Sequence, residues 1–195
     1  MVGEAETGRQ AVQLTRKLRP AVVVMDIAMP LLNGLEATRQ IRKDCPDTKV
    51  LILSAHGDDA YVEQAAALGA AGFLLKQTSP RVLATAIRAI QKGNTFFSPA
   101  MCKRLKDGSP KSNAQGRASK SIANWLSSRE VEVLQLIAEG KPNKEVAAEL
   151  GVTFKTVDKH RQNLMTKLNI HDIAGLTRYA ISVGIIESSV QSTIV

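Results

Sequence analysis

The side chains best suited to reading a nucleic acid lie together in TFKTVDKHRQNLMTKL, residues 153–168. Wound into a helix, this stretch brings Val157, Leu164 and Leu168 to one face at 3–4 spacing, with His160 and Arg161 at its edge. The opposite face then carries Lys155, Asp158, Lys159, Gln162, Asn163 and Thr166. A DNA major groove admits one helix, and its base edges are met by Lys at guanine and by Gln or Asn at adenine. Lys155, Thr156, Arg161 and Lys167 are better placed for phosphates, which fix register without reading sequence. Four Lys/Arg against one Asp make the stretch locally basic. A polar helix face is ordinarily just a solvated face, so what precedes it has to decide.

What precedes it is a second helix and a tight turn. Ser127-x-x-Glu130 has the form of a capping box, with Leu126 and Val131 at the two positions of a hydrophobic staple. The helix it opens carries Val131, Val133, Leu134, Ile137 and Ala138 and stops at Gly140. Asn143 can cap the next helix, on which Val146, Ala147 and Leu150 share a face. Gly151-Val152-Thr153 then turns the chain, with Thr153 capping a helix from Phe154 to about Leu168. A last helix runs from Asp172 to Val183 and closes at Gly184. A helix, a three-residue turn and a second capped helix form the helix-turn-helix pattern of DNA-binding modules.

A different pattern governs the first half. Ala21–Met25, Val50–Ser54 and Ala71–Leu75 are short apolar runs of the kind that form parallel strands buried on both faces. Helical periods fill the intervals at Gly8–Leu18, Gly34–Lys43, Asp58–Leu68 and Pro80–Gln91, with Ser79 as the cap before Pro80. Alternating strands and helices predict a parallel α/β sheet with right-handed crossovers. Asp26 ends the first strand, so its carboxylate opens at the C-terminal edge of the sheet, where such folds bind ligands. By itself a strand-end Asp is usually a turn residue.

Between the halves, residues 102–121 are rich in Gly, Ser, Pro, Asn and Lys and hold no helical or strand period, which predicts a flexible basic linker. The domains expected are therefore 1–101, a linker 102–121, and 122–195. The net charge of +8 is unevenly spread. Residues 102–121 hold six Lys/Arg against one Asp, whereas residues 122–195 hold eight of each sign. Bulk basicity thus points at the linker and not at the helix-turn-helix. Cys45 and Cys102 lie far apart without metal or redox spacing, in keeping with a reducing cytosol. There is no run of 18 apolar residues and no basic-then-apolar leader, so a cytoplasmic location is expected. No Gly-rich phosphate loop follows a strand, and no Ser-His-Asp set, metal-ligand cluster or carboxylate pair is present, which argues against a small phosphoryl-transfer or nucleotide-binding enzyme.

The run LSSREVEVLQLIAEGKPNKEVAAELGVTFKTVDKHRQNLMTKLNI closely resembles the LuxR-type DNA-binding domain of NarL/FixJ response regulators, and the resemblance is dense from Leu126 to Ile186. It implies a four-helix domain whose recognition helix is 154–168. It also implies dimeric binding to paired half-sites of double-stranded DNA, with Ile173, Leu176, Tyr179, Ala180 and Val183 contributing to the dimer contact. VVVMDIAMPLLNGLEATRQI resembles the phosphoacceptor region of a receiver domain, which implies a flavodoxin-like α/β fold. By that resemblance Asp26 accepts the phosphoryl group from a sensor histidine kinase. Ser54 and Lys76, at two further strand ends, would contact the phosphate oxygens, and Phe73 would be the aromatic switch. The chemistry is mostly positioning and charge neutralisation.

A receiver of this kind begins with a strand and helix whose strand ends in an acidic pair that holds Mg²⁺ with the phosphoacceptor. MVGEAETGRQAV resembles instead the tail of the second strand, so the receiver is expected to lack its first strand and helix, about 30 residues. Glu4 and Glu6 fall in the loop after that second strand and are no substitute for the pair. Asp26 alone makes a poor Mg²⁺ site, because the ion needs several oxygen ligands, and weak phosphorylation is expected. In this family's sheet the absent strand is central, which leaves Ala21–Met25 as a free apolar edge. Residues 1–101 are then expected to be less stable than the helical domain, or to pair through that edge. The function expected is a DNA-binding transcriptional regulator of a two-component system, normally switched by aspartyl phosphorylation. The alternative is a phosphorylation-independent regulator or a dominant-negative partner of an intact relative.

Overall fold

The computed structural model describes residues 1–55, 57, 59–98 and 126–186. The predicted linker 102–121 lies outside the described residues. The chain divides into two compact units, Met1–Lys120 and Ser121–Val195.

The first unit runs α1 (Gly8–Leu18), β1 (Val22–Asp26), α2 (Gly34–Asp44), β2 (Lys49–Ser54), α3 (Asp59–Ala67), β3 (Gly72–Leu75) and α4 (Pro80–Gln91). The strands are parallel in the order β1-β2-β3, with Asp26 opposite Leu53 and Ser54 opposite Leu75. Side chains alternate across the sheet, so each strand feeds two cores. Met25, Val50, Ile52 and Phe73 pack with Val12 of α1, Leu35 and Ile41 of α2, and Ala65 of α3. Leu51 turns the other way and meets Ala86 and Ile90 of α4, with Val22 and Leu74 beside them. Thr7 and Asn33 cap α1 and α2 through their side chains. Ser79 precedes Pro80 as expected, yet its side chain makes no capping hydrogen bond.

Full burial of all three apolar runs does not hold. β2 is buried along most of its length, but Val24 of β1 is 41% exposed. The reason is pairing: among the described strands β1 is hydrogen-bonded on one side only. Along its other side runs a groove of about 810 Å³, bounded by Met1–Ala5, by Leu14 and Leu18 of α1, and by Ile87 of α4.

Four helices make the second unit: α5 (Ser128–Ala138), α6 (Asn143–Leu150), α7 (Phe154–Leu168) and α8 (Ile173–Ser182). The capping box is complete, with Ser127 accepting from the Glu130 N–H and Glu130 accepting from the Ser127 N–H. Gly151 adopts the left-handed conformation (φ 62°) that ends α6, and Thr153 caps α7. Asn169 stops α7 in the same conformation, and Asp172 caps α8. Leu126, Leu134, Leu136, Val146, Leu150, Val157, Leu164, Leu176 and Ala180 are buried and supply this unit's core. One expectation is corrected here. Pro142, not Asn143, occupies the cap position of α6, and Asn143 is its first helical residue. Pro142 offers no side-chain acceptor, and the Asn143 amide is engaged elsewhere.

Candidate functional site

On α7 the apolar stripe is narrow. Val157 and Leu164 are completely buried, while Leu168, His160 and Arg161 are half-buried. Facing away from this core, Lys155, Lys159, Gln162, Asn163 and Thr166 are exposed, and Asp158 and Thr156 are half-buried. The Gln162 amide donates to Asp158 Oδ2 at 3.0 Å, a bond one helical turn long that orders both side chains. Thr153, whose hydroxyl lies 2.9 Å from that of Thr156, accepts from the Thr156 N–H and fixes the first turn.

Two residues assigned to phosphates also have intramolecular partners. The Arg161 guanidinium donates to Asn143 Oδ1 at 3.0 Å and ties α7 to the start of α6. The Lys167 ammonium sits 2.8 Å from Glu130 Oε2 and joins the end of α7 to the capping box of α5. Burial alone would raise the pKa of Glu130. The hydrogen bonds from Lys167 and from Ser127 outweigh it and hold the carboxyl below its ordinary value. Neither link was legible in the sequence: Glu130 and Asn143 read as caps, and their partners lie 37 and 18 residues away.

The residues expected at a dimer contact divide by depth. Leu176 and Ala180 are completely buried in the unit's own core, and Tyr179 and Val183 are half-buried. Ile173 is 52% exposed and Ile181 lies open on the same helix. The apolar surface that α8 offers to another molecule therefore rests on Ile173 and Ile181, the second of which the helical spacing did not single out.

In the first unit three strand ends converge. Gly34 starts α2 against the end of β1, so closely that a side-chain carbon there would overlap the Asp26 carbonyl. The resulting turn leaves the Asp26 side chain at the sheet's C-terminal edge. Its Oδ2 accepts from the Lys76 ammonium at 2.7 Å and its Oδ1 accepts from the Ala28 N–H at 3.3 Å. Lys76 follows β3, and its backbone N–H donates to the Ser54 carbonyl at 2.8 Å, which places the end of β2 beside them. Ser54 is buried, and Phe73 packs into the core formed with α1, α2 and α3. The structure thus brings Asp26 and Lys76 together, with Ser54 on the neighbouring strand and Phe73 beneath the sheet surface.

Residues 1–88 match the response regulator receiver domain, and residues 124–180 match the bacterial regulatory proteins of the luxR family. Among similar proteins, the transcriptional regulatory protein MctR of Rhizobium johnstonii is 36% identical over 186 residues, covering 95% of this chain and 83% of that one. The response regulator protein VraR of Staphylococcus aureus is 34% identical over 187 residues, covering 96% of this chain and 86% of that one. This chain is a LuxR-family response regulator. Among solved structures, the response regulator RcsB of Salmonella typhimurium has a TM-score of 0.55 at 28% identity, with 94% of this chain and 84% of that chain covered. A LuxR-family two-component response regulator from Aurantimonas has a TM-score of 0.50 at 34% identity, covering 55% of this chain and 77% of that one.

As a LuxR-family response regulator the chain is a DNA-binding transcriptional regulator of the two-component type, a family whose members are generally not enzymes. The alternative of a phosphorylation-independent or dominant-negative regulator is not favoured by these relatives. Receiver domains generally take up Mg²⁺ for phosphorylation. Here the residues do not fit that ion. Asp26 offers one carboxylate, already bonded to Lys76, and the described residues include no group of three or more His, Cys, Asp or Glu side chains able to hold a metal. No helix among the described residues is long and apolar enough to cross a membrane.

Proposed function

We propose that this regulator lays α7 in the major groove of duplex DNA, binds as a homodimer through the Ile173 side of α8, and carries its phosphoacceptor at Asp26. The observation that carries the reading is the face of α7 itself: Lys155, Lys159, Gln162 and Asn163 stand exposed together on a helix anchored at both ends. Lys159, Gln162 and Asn163 suit base edges, while Lys155 and Thr156 at the helix start suit phosphates. Arg161 and Lys167 take the part of positioning residues that hold the helix at its angle. Structures of RcsB dimers on DNA, and of RcsB on promoters with a phosphate mimic, support DNA binding and dimerisation here.

At Asp26 the geometry suits phosphoryl transfer from a sensor histidine kinase or a small donor. A carboxylate oxygen attacks phosphorus, the new P–O bond forms, and the donor's leaving group departs with its electron pair. Lys76, now 2.7 Å from Oδ2, is in place to neutralise the charge on the phosphoryl oxygens. With no group of three or more His, Cys, Asp or Glu side chains able to hold a metal among the described residues, uptake by this chain should be slow.

The test is a salt-titrated binding assay of the whole chain, with and without acetyl phosphate and Mg²⁺. Lys159→Ala should weaken selective binding by about 1–3 kcal/mol and leave the fold intact. Equal binding by wild type and variant would remove Lys159 from the interface. Mass spectrometry should find any phosphoryl group on Asp26 and none in Asp26→Asn. Labelling of the variant would move the phosphoacceptor elsewhere.

A further inference from the structure

Phe154 is the first residue of α7 and is 57% exposed, the one exposed Phe, Tyr or Trp among the described residues. A large apolar side chain left in water at a helix start gains nothing from folding, and the cap and inward stripe of α7 do not need it. Thr153 supplies the capping oxygen, and Val157 and Leu164 fill the core beneath. The ring's neighbours argue for what covers it. Lys155 follows it directly, and Lys159 stands exposed one turn on. One turn along its own row come Asp158 and then Gln162, held together at 3.0 Å. An apolar ring set in a basic surface at the leading end of a groove-reading helix matches one feature of duplex DNA. That feature is the thymine methyl, the apolar group that the major groove exposes among charged and polar neighbours. The N-terminal residues of a recognition helix are also those that reach base edges.

We infer that Phe154 reads a thymine through its 5-methyl group and so sets one position of the operator half-site. The inference rests on the placement of α7 in the major groove and adds a specificity determinant to it. Phe154 contributes no charge, so it separates cleanly from the phosphate contacts in experiment.

The test selects bound duplexes from a randomised pool with the whole chain, as wild type, Phe154→Ala and Phe154→Leu. Wild type should select thymine at one position per half-site, Phe154→Ala should lose that preference alone, and Phe154→Leu should keep part of it. Deoxyuridine at that position should then weaken wild type by about fourfold, the effect of one methyl left in water, and leave Phe154→Ala unchanged. The salt dependence of binding should be the same for both proteins, since no phosphate contact is lost. Identical selected sequences for wild type and Phe154→Ala, or an equal deoxyuridine penalty in both, would overturn the assignment while leaving α7 in the groove. Loss of dimerisation in Phe154→Ala with the thymine preference intact would overturn it in favour of a protein contact. A wild-type chain with no sequence preference would overturn the groove placement itself. Phe154→Ala should melt with wild type, as expected of a half-exposed ring.

Discussion

At the scale of single residues the helical unit depends on one buried carboxylate. Glu130 is almost fully enclosed and accepts from the Ser127 N–H and hydroxyl and from the Lys167 ammonium, at 2.7, 2.9 and 2.8 Å. Desolvation opposes its charge, and these bonds more than restore it, so its pKa lies below the ordinary 4.5. The sign follows from linkage. A carboxyl whose folded value is depressed contributes stability that is present above the unfolded value and lost as pH falls through the folded one. The thermal midpoint of the helical unit should therefore fall as pH is lowered from about 4.5, and Glu130→Gln should flatten that acid limb. Lys167→Met should cost about 1 kcal/mol, below the usual range for a charged hydrogen bond because the ammonium is partly in solvent. Melting curves between about pH 3 and pH 7 read both effects. An acid limb unchanged in Glu130→Gln would assign the linkage to another group. The same residues show where sequence reasoning stops. Ser127-x-x-Glu130 gave the cap because a capping box is a local pattern. Lys167 was assigned to phosphate because a pattern of period 3.6 cannot report a partner on another helix.

At the scale of elements, what is local was legible in the residues themselves, and what depends on pairing was legible only through the family resemblance. The helix starts at Thr153 and Asp172 and the stops near Gly151 and Gly184 follow from capping and backbone chemistry, and the structure keeps them. α3 starts at Asp59 and ends at Ala67, one residue inside the predicted span at each end. The α8 stripe was read as one surface, yet it divides into core (Leu176) and exposed rim (Ile173), because a periodic stripe does not say how deep its neighbours sit. β1 is the clearest case. Its composition, VVVMD, suits a strand buried on both faces, whereas the resemblance to a receiver implied a free edge at Ala21–Met25, and β1 is indeed paired on one side only among the described strands. With a groove of about 810 Å³ along its outer edge and Val24 open to it, β1 presents backbone groups and apolar surface together. Such edges pair. The 195-residue chain should self-associate in a concentration-dependent manner, and Val24→Lys should suppress this by placing a charge on the edge. Ile173→Glu as the common background removes any contribution of α8. Sedimentation of the double variant as the same oligomer would show that β1 takes no part.

At the scale of the whole molecule, charge and recognition are assigned to different parts of the chain. The net charge is +8, yet residues 122–195 are neutral by count, and residues 102–121 carry a surplus of five positive charges. Affinity for any duplex grows with the number of phosphates neutralised, whereas choice among duplexes comes from base edges. The two should therefore separate by substitution. Replacing Lys103, Arg104, Lys106, Lys111, Arg117 and Lys120 with Gln should weaken binding to specific and random duplexes by the same factor. It should also flatten the dependence of log K on log salt, by about 0.9 for each charge that had met a phosphate. Lys159→Ala should instead narrow the gap between the specific and random duplexes if Lys159 meets a base edge as proposed, since a base contact would go along with a charge. Both sets of curves come from one titration series across about 50 to 200 mM salt. If the Gln-substituted chain kept the full salt slope, the basic segment would play no electrostatic part, and the phosphate contacts would have to come from the neutral helical domain alone. Lys155, proposed at a phosphate, and exposed basic residues such as Lys144 and Arg178 would then be the next to substitute, each expected to flatten the slope by about 0.9 if it meets a phosphate.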